Sequence, residues 1–255
     1  MPIALTRTVP GSIARCELTH QAREPIDLDR AREEHDAYER ALAQLGLAIR
    51  RLPAAHNLPD SVFVEDTAVV LDEVAVLARP GAKSRREELP TVEQALRELR
   101  LVVRVESPAT LDGGDVLVLD REILVGRTTR TSDEGVMQLR RCVGGFGYSV
   151  RATHVTGCLH LKSAVTRVGP RTLLINPAWV GRNQFPGWQL VDSDPGEPFG
   201  ANALWWEGAD AVVYPAEHPG TRVRLEAAGI RVVAIPAGEL AKAEGGVTCG
   251  SLLIR

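Results

Sequence analysis

The stretch LDGGDVLVL (residues 111–119), followed by EILVGR (122–127) and a polar, helix-compatible segment from Thr131 to Cys142, decides how this chain is read. An acidic turn leads into an apolar strand, a tight turn and a second apolar strand, and then a segment with helical spacing. The same phrase occurs one module upstream as SVFVEDTAVVL (61–71), EVAVLARPG (73–81) and a helix from Ser84 to Leu99. Downstream it recurs as LHLKSAVTRV (159–168) and RTLLINP (171–177) with a looser stretch to Gly187. It then recurs as FGANALWW (199–206) and AVVYPAE (211–217) with a helix from Gly220 to Ala228. LVVRV (101–105) and YSVRA (148–152) read as closing strands of their modules.

The fifth copy is divided between the two ends. GGVTCGSLLIR (245–255) supplies one strand, and PIALTRTVP (2–10) supplies its partner, followed by a helix from Asp29 to Leu45. Asp66, Asp112, His160, Asn202 and Cys249 hold equivalent places, at intervals of 46, 48, 42 and 47 residues. A module this small cannot cover both faces of its own strands, so five must pack around an axis, with the last strand pairing into the N-terminal module. The fold expected is a closed α/β ring over residues 1–255 as one domain, its anchors meeting at the centre; an open α/β sheet is the alternative. Val191 to Gly200, rich in Pro, Gly and Asp, reads as a loop inside the repeat.

The 255 residues are 44% hydrophobic, enough for a sizeable core, and 30 basic against 33 acidic residues leave a net charge of -3. No basic field is present to hold a nucleic acid or an anionic membrane, which makes a small molecule the expected partner. The first ten residues do not resemble a leader, and no apolar run approaches the roughly 20 residues that span a bilayer. A cytoplasmic location is expected, and a homodimer is left open. The cysteines at 16, 142, 158 and 249 follow no disulfide or zinc spacing and read as free thiols.

Cys249, behind the glycine pair of GGVTCGS, is the candidate nucleophile, since glycines let the backbone approach a ligand closely. His160, between two leucines at what reads as the head of a strand, is the candidate proton carrier. The other histidines, at 20, 35, 56, 154 and 218, sit in charged or loop-like surroundings. Asp60, Glu65 and Asp66 crowd into one phrase, and Asp112 with Asp115 into another. Carboxylates buried together need a cation, and a planar guanidinium meets paired carboxylates better than a hard metal ion does here. Arg85 and Arg86, with Arg127 and Arg130, follow second strands; they are either solvated helix ends or, if they face the centre, a clamp for a carboxylate. An amino acid with a cationic side chain fits a pocket of that polarity. Of Trp205 and Trp206, at least one is expected in the core.

Taken in order, PDSVFVED, RPGAKSRR, LDGGDVL, LHLKS and GGVTCGS resemble the dimethylarginine dimethylaminohydrolases, guanidino-modifying enzymes related to arginine deiminase. The resemblance spans nearly the whole chain. It implies a five-bladed α/β propeller of pseudo-symmetric ββαβ modules that hydrolyses asymmetric dimethylarginine or monomethylarginine to citrulline and a methylamine, with no cofactor and no metal. It makes Cys249 the nucleophile, His160 the general acid and base, and Asp112 the acid that orients His160. It gives Glu65 and Asp66 to the substrate's guanidinium, Leu18 to a mobile lid, Asp60, Arg85 and Arg130 to substrate binding, and Ala243 to a backbone carbonyl contact. Gly250 stands where some relatives carry a second cysteine, so properties of such a pair do not transfer. Trp179 to Gly200 and FGANALWW match loosely. Two other functions stay open: hydrolysis or amidino transfer on arginine or another guanidine, and guanidine binding without turnover.

Overall fold

The computed structural model describes all residues, Met1–Arg255, and contains five three-stranded sheets. The chain opens with β1 (Ile3–Arg7), α1 (Leu28–Gln44) and β2 (Ala48–Leu52). The second module is β3 (Ala68–Val70), β4 (Val74–Leu77), α2 (Leu89–Arg97) and β5 (Leu101–Arg104). The third is β6 (Val116–Leu119), β7 (Glu122–Arg127), α3 (Asp133–Gly144) and β8 (Ser149–His154). The short helix α4 (Leu161–Ala164) leads into β9 (Val165–Gly169), β10 (Thr172–Ile175) and β11 (Gln189–Asp192). β12 (Leu204–Trp206), β13 (Ala211–Pro215), α5 (Pro219–Ala227) and β14 (Arg231–Ile235) form the fifth, before α6 (Gly238–Ala241) and β15 (Leu252–Ile254).

In every sheet the middle strand pairs antiparallel with one neighbour and parallel with the other, the ββαβ pattern. The first sheet joins the two ends of the chain: β15 runs antiparallel to β1, Ile254 opposite Ile3, and β2 runs parallel on the other side. α1 starts at Asp27, whose carboxylate accepts the N–H groups of Asp29 and Arg30 at 3.1 Å each, a side-chain cap.

Middle strands are mainly apolar because both of their faces are covered, with polar residues such as Thr6, Arg7 and Glu122 toward their ends. Val74 and Val76 of β4 pack toward the third module, while Ala75 packs toward the first. Ile123 and Val125 of β7 face the second module and Leu124 the fourth. The alternation continues with Leu174 against Leu173 and Ile175 in β10, then with Val212 and Tyr214 against Ala211 and Val213 in β13. It closes with Leu5 against Ala4 in β1. Each neighbouring pair of modules thus shares its own apolar cluster, and the fifth cluster joins the last module to the first. An open sheet would leave one of these faces bare, so the fold is a five-bladed α/β propeller.

Several expectations change in detail. Ser84 to Leu99 is divided into a 3-10 segment, Lys83–Glu88, and α2. The fourth module has no helix between β10 and β11, only a 3-10 turn at Arg182–Gln184, and β11 takes in the first residues of the expected Val191 to Gly200 loop. His35, among the charged residues of α1, lies on that helix's buried side, 2% exposed, with Nδ1 3.7 Å from Glu39. Trp206 is in the core, whereas Trp205 is half-buried beneath the Arg167 guanidinium at 4.7 Å. No helix is long and apolar enough to cross a membrane.

Candidate active site

The anchors do not head strands. Asp66 is in the 3-10 turn Val64–Thr67, Asp112 precedes the turn Gly113–Asp115, and His160 precedes α4. Cys249 lies in the turn before β15. Placing them in turns frees their side chains from the up-and-down alternation of a strand, so all can point along the axis.

His160 sits 4% exposed between two carboxylates, with Nε2 at 3.0 Å from Asp112 Oδ2 and Nδ1 at 3.7 Å from Asp66 Oδ1. Burial alone opposes a charged imidazole; Asp66 first, then Asp112 and Asp115, outweigh it and hold the ring's pKa up at about 9. Asp112 is fixed in turn, its other oxygen accepting the Gly81 N–H at 2.8 Å. Gly114 is required for this approach: a Cβ there would stand 2.6 Å from His160 Nδ1 and 2.7 Å from Asp66 Oδ1. Asp115 needs no cation. It accepts the Thr128 and Thr131 hydroxyls at 2.6 and 2.7 Å and the Leu161 N–H at 3.0 Å, tying the His160 turn to the third module, and burial raises its pKa to about 6.

Burial would raise the Asp66 carboxyl, but His160, the Arg85 guanidinium and the Gly114 N–H hold it down at about 2. Arg85, 4% exposed, bonds Asp66 and both Glu88 oxygens and donates to the Phe63 and Asp60 carbonyls at 2.8 and 3.2 Å. Asp66, Asp112 and His160 are close enough to hold a metal ion. Their polar atoms are already matched to Arg85, to one another and to backbone N–H groups.

The Cys249 sulfur accepts the Gly246 N–H at 3.3 Å. Burial, with Glu65 and Asp66 nearby, pushes the thiol's pKa up and favours S–H over thiolate. All four cysteines are free thiols. Glu65 lies behind the sulfur, where it accepts Lys162 Nζ at 2.5 Å and the Thr248 hydroxyl at 2.7 Å, and its N–H donates to the Cys249 carbonyl at 3.1 Å. Glu65, Lys162 and Thr248 line a separate cavity of about 360 Å³ between the inner strands.

Cys249, His160, Asp66, Asp60, Arg85, Arg130 and Ala243 line one small cavity of about 20 Å³, room for roughly one water molecule. Asp112, Glu65 and Leu18 are not in its lining: Asp112 bonds His160, Glu65 bonds the Thr248 hydroxyl and the Cys249 carbonyl, and Leu18 packs against the apolar cluster that contains Cys16, Phe63 and Ala243. Asp60, which sequence alone leaves compatible with a solvated surface, is 5% exposed and accepts the Glu17 N–H. Arg86 and Arg127 lie elsewhere, bonded to the Pro80 carbonyl and to Asp133. Arg85 is enclosed by protein acceptors, whereas the other arginine in the lining, Arg130, has no carboxylate partner. Glu17, Phe63, Leu159 and Glu244 complete the wall. Single loop residues of that kind carry no periodic signal.

A five-bladed ring with a cysteine, a histidine and opposed carboxylates on its axis belongs to the class of guanidino-modifying α/β propellers. A family model described as N,N dimethylarginine dimethylhydrolase, eukaryotic, matches residues 14–183. The N(G),N(G)-dimethylarginine dimethylaminohydrolase of Streptomyces coelicolor is 40% identical over 254 residues, 99% of this chain and 96% of that one. Its counterpart from Pseudomonas aeruginosa is 32% identical over 228 residues, 89% of each chain. A solved structure of the Pseudomonas aeruginosa enzyme, a cysteine-to-serine mutant complexed with citrulline, superposes with a TM-score of 0.94 at 31% identity, covering 98% of both chains. The chain belongs to the dimethylarginine dimethylaminohydrolase family.

Proposed function

We propose that the protein hydrolyses Nω-methylated arginines, asymmetric dimethylarginine and monomethylarginine, to citrulline and dimethylamine or methylamine, with residues 1–255 acting as one catalytic domain in the cytoplasm. The observation that carries this reading is a buried His160 held by Asp112 and Asp66 in the same cavity as the Cys249 thiol. Asp66, opposed to the sulfur's ionisation while the site is empty, attracts a guanidinium; the bound cation then offsets the carboxylates and favours the thiolate, its proton leaving to solvent. Sulfur adds to the guanidinium carbon, His160 gives its proton to the departing amine, and a covalent thiouronium remains. Neutral His160 takes a proton from water, the resulting hydroxide adds to the same carbon, and the sulfur leaves as thiolate. The added hydroxyl releases its proton to solvent, giving the ureido product. Arg130 fits the role of meeting the substrate carboxylate, with Asp60, Leu18 and the Ala243 carbonyl at the amino end.

Incubating the protein with asymmetric dimethylarginine, monomethylarginine and arginine, while assaying ureido product and released amine, tests this. Methylarginine turnover that is lost in Cys249→Ala supports it; turnover of arginine alone moves the activity to deimination, and turnover of none leaves only guanidine binding. Titrating the thiol of the empty enzyme should find it protonated at neutral pH; a thiolate formed well below neutrality would reject the substrate-assisted step.

A further inference from the structure

The chain runs from Glu17, in the lining of the catalytic cavity, to Gln21, in the lining of a neighbouring cavity, and is held down at several points. Glu17 N–H bonds the Asp60 carboxylate, its own carboxylate accepts the Ser84 hydroxyl at 2.7 Å, and Arg130 donates to the Thr19 hydroxyl at 3.1 Å. The densest contact is different in kind: the N–H groups of Thr19, His20 and Gln21 converge on one oxygen, Glu244 Oε1, at 3.0, 2.5 and 2.7 Å. Three successive backbone donors around one carboxylate oxygen form an anion-holding nest. Glu244 adopts a left-handed backbone, φ 58°, unfavourable for a residue with a Cβ and held here by its surroundings. Two residues later comes Gly246, whose N–H bonds the Cys249 sulfur.

The other carboxylate oxygen, Glu244 Oε2, is buried and has no hydrogen-bond partner. Glu244 stands in the wall of the catalytic cavity with Asp60, Ala243 and Arg130. A buried carboxylate oxygen without a donor is costly, and a site that takes an α-amino acid supplies the missing donor. We propose that Glu244 couples recognition of the substrate's α-ammonium to closure of the lid, Oε1 holding residues 19–21 and Oε2 receiving the ammonium. The inference rests on the reading above that the ligand is a guanidino amino acid. At about 20 Å³ the closed cavity does not admit such a molecule, so the lid must lift to let it in, and lifting strips Glu244 of its three donors. The exposed carboxylate then draws the ammonium, and the lid reseals on the oxygen left over. Guanidines lacking an α-ammonium leave Oε2 unmatched and are discriminated against. Glu244 also borders a second cavity of about 120 Å³ lined by Gln21, Asn202 and His218, so a water held there is the competing partner for Oε2.

The test compares Nω-methylarginine with its des-amino analogue, in which hydrogen replaces the α-ammonium, on the wild-type enzyme, E244A, E244Q and E244D. Trypsin cleavage after Arg23 is followed with and without citrulline. E244Q keeps an oxygen for the lid but not the charge: KM for methylarginine should rise roughly tenfold or more with kcat within about threefold, and KM for the analogue should stay within about twofold. E244A should also speed cleavage after Arg23 and abolish its suppression by citrulline, whereas E244D should recover part of both properties. Equal KM increases for the two compounds, as a water partner for Oε2 would give, overturn the ammonium role. Unchanged cleavage in E244A overturns the latch. Absence of methylarginine turnover by the wild type overturns the assigned function and this inference with it, whereas turnover with parallel changes overturns this inference alone.

Discussion

The turn entering β6 and the turn entering β12 occupy equivalent places in the ring, yet Asp112 in the first bonds His160, the proposed proton carrier, while Asn202 in the second bonds only the frame. Asn202 gives its amide hydrogens to the Lys162 carbonyl at 2.9 Å and the Thr248 hydroxyl at 3.0 Å, and accepts the Thr248 N–H at 3.1 Å. It thereby links the residue after His160's neighbour to the residue before Cys249. Repetition delivers five side chains to the axis; the chemistry of each decides whether it takes part in the reaction or holds the residues that do. A neutral amide satisfied by three protein groups has no proton or charge to offer.

That contrast can be broken by mutation. Cys249→Ala should lower kcat by at least about 10⁴-fold with the thermal midpoint nearly unchanged, read by citrulline formation and calorimetry. Asp112→Asn comes next, at about 10²- to 10⁴-fold in kcat/KM, because the imidazolium loses the carboxylate that supports it. Its pH profile sharpens the point. The wild type should lose activity as pH rises through about 9, where His160 deprotonates, and the variant should lose it at lower pH. Because the folded pKa lies above the ordinary histidine value of about 6.5, the charged ring's stabilising contribution is complete below that value and lost as pH rises through about 9. An unshifted limb in Asp112→Asn would mean that His160 is not the titrating group.

Gly114→Ala should cost about 10²-fold in kcat by pressing on His160 and Asp66, with a smaller loss of stability; near-wild-type turnover would show that the turn relaxes freely. The smallest kinetic effect is expected from Asn202→Ala, roughly tenfold in kcat, accompanied by about 1–3 kcal/mol of stability as buried partners are left unmatched. Should Asn202→Ala, folded and soluble, be as inactive as Cys249→Ala, the division between reacting and holding anchors would fail.

Much of the ring was legible because its signals are local. Middle strands such as VAVL and EILVGR are continuous apolar runs bounded by turns, and the anchor interval repeats. Patterning marks no strand at the outer positions β2, β11 and β14: short strands with half-exposed residues, β11 beside a Pro-rich stretch, carry weak signals. In sequence His160 reads as the head of a strand because the apolar run after it masks the helical turn of α4, which the Asp115 carboxylate, accepting the Leu161 N–H, helps to hold. Arg85 and Arg86 are indistinguishable neighbours in sequence. Only packing sends the first among Asp66 and Glu88 and the second to a backbone carbonyl.

By itself, then, the sequence determined the five modules, the pairing of the last strand with the first module, and the residue types brought to the axis, since periodicity and spacing are properties of the chain. Tertiary structure alone decided which of those residues meet. The engagement of Arg85, the support of Glu65 by Lys162 and Thr248, and the grip of Glu244 on residues 19–21 join groups tens to hundreds of residues apart. Contacts of that kind depend on distances that exist only once the ring is closed.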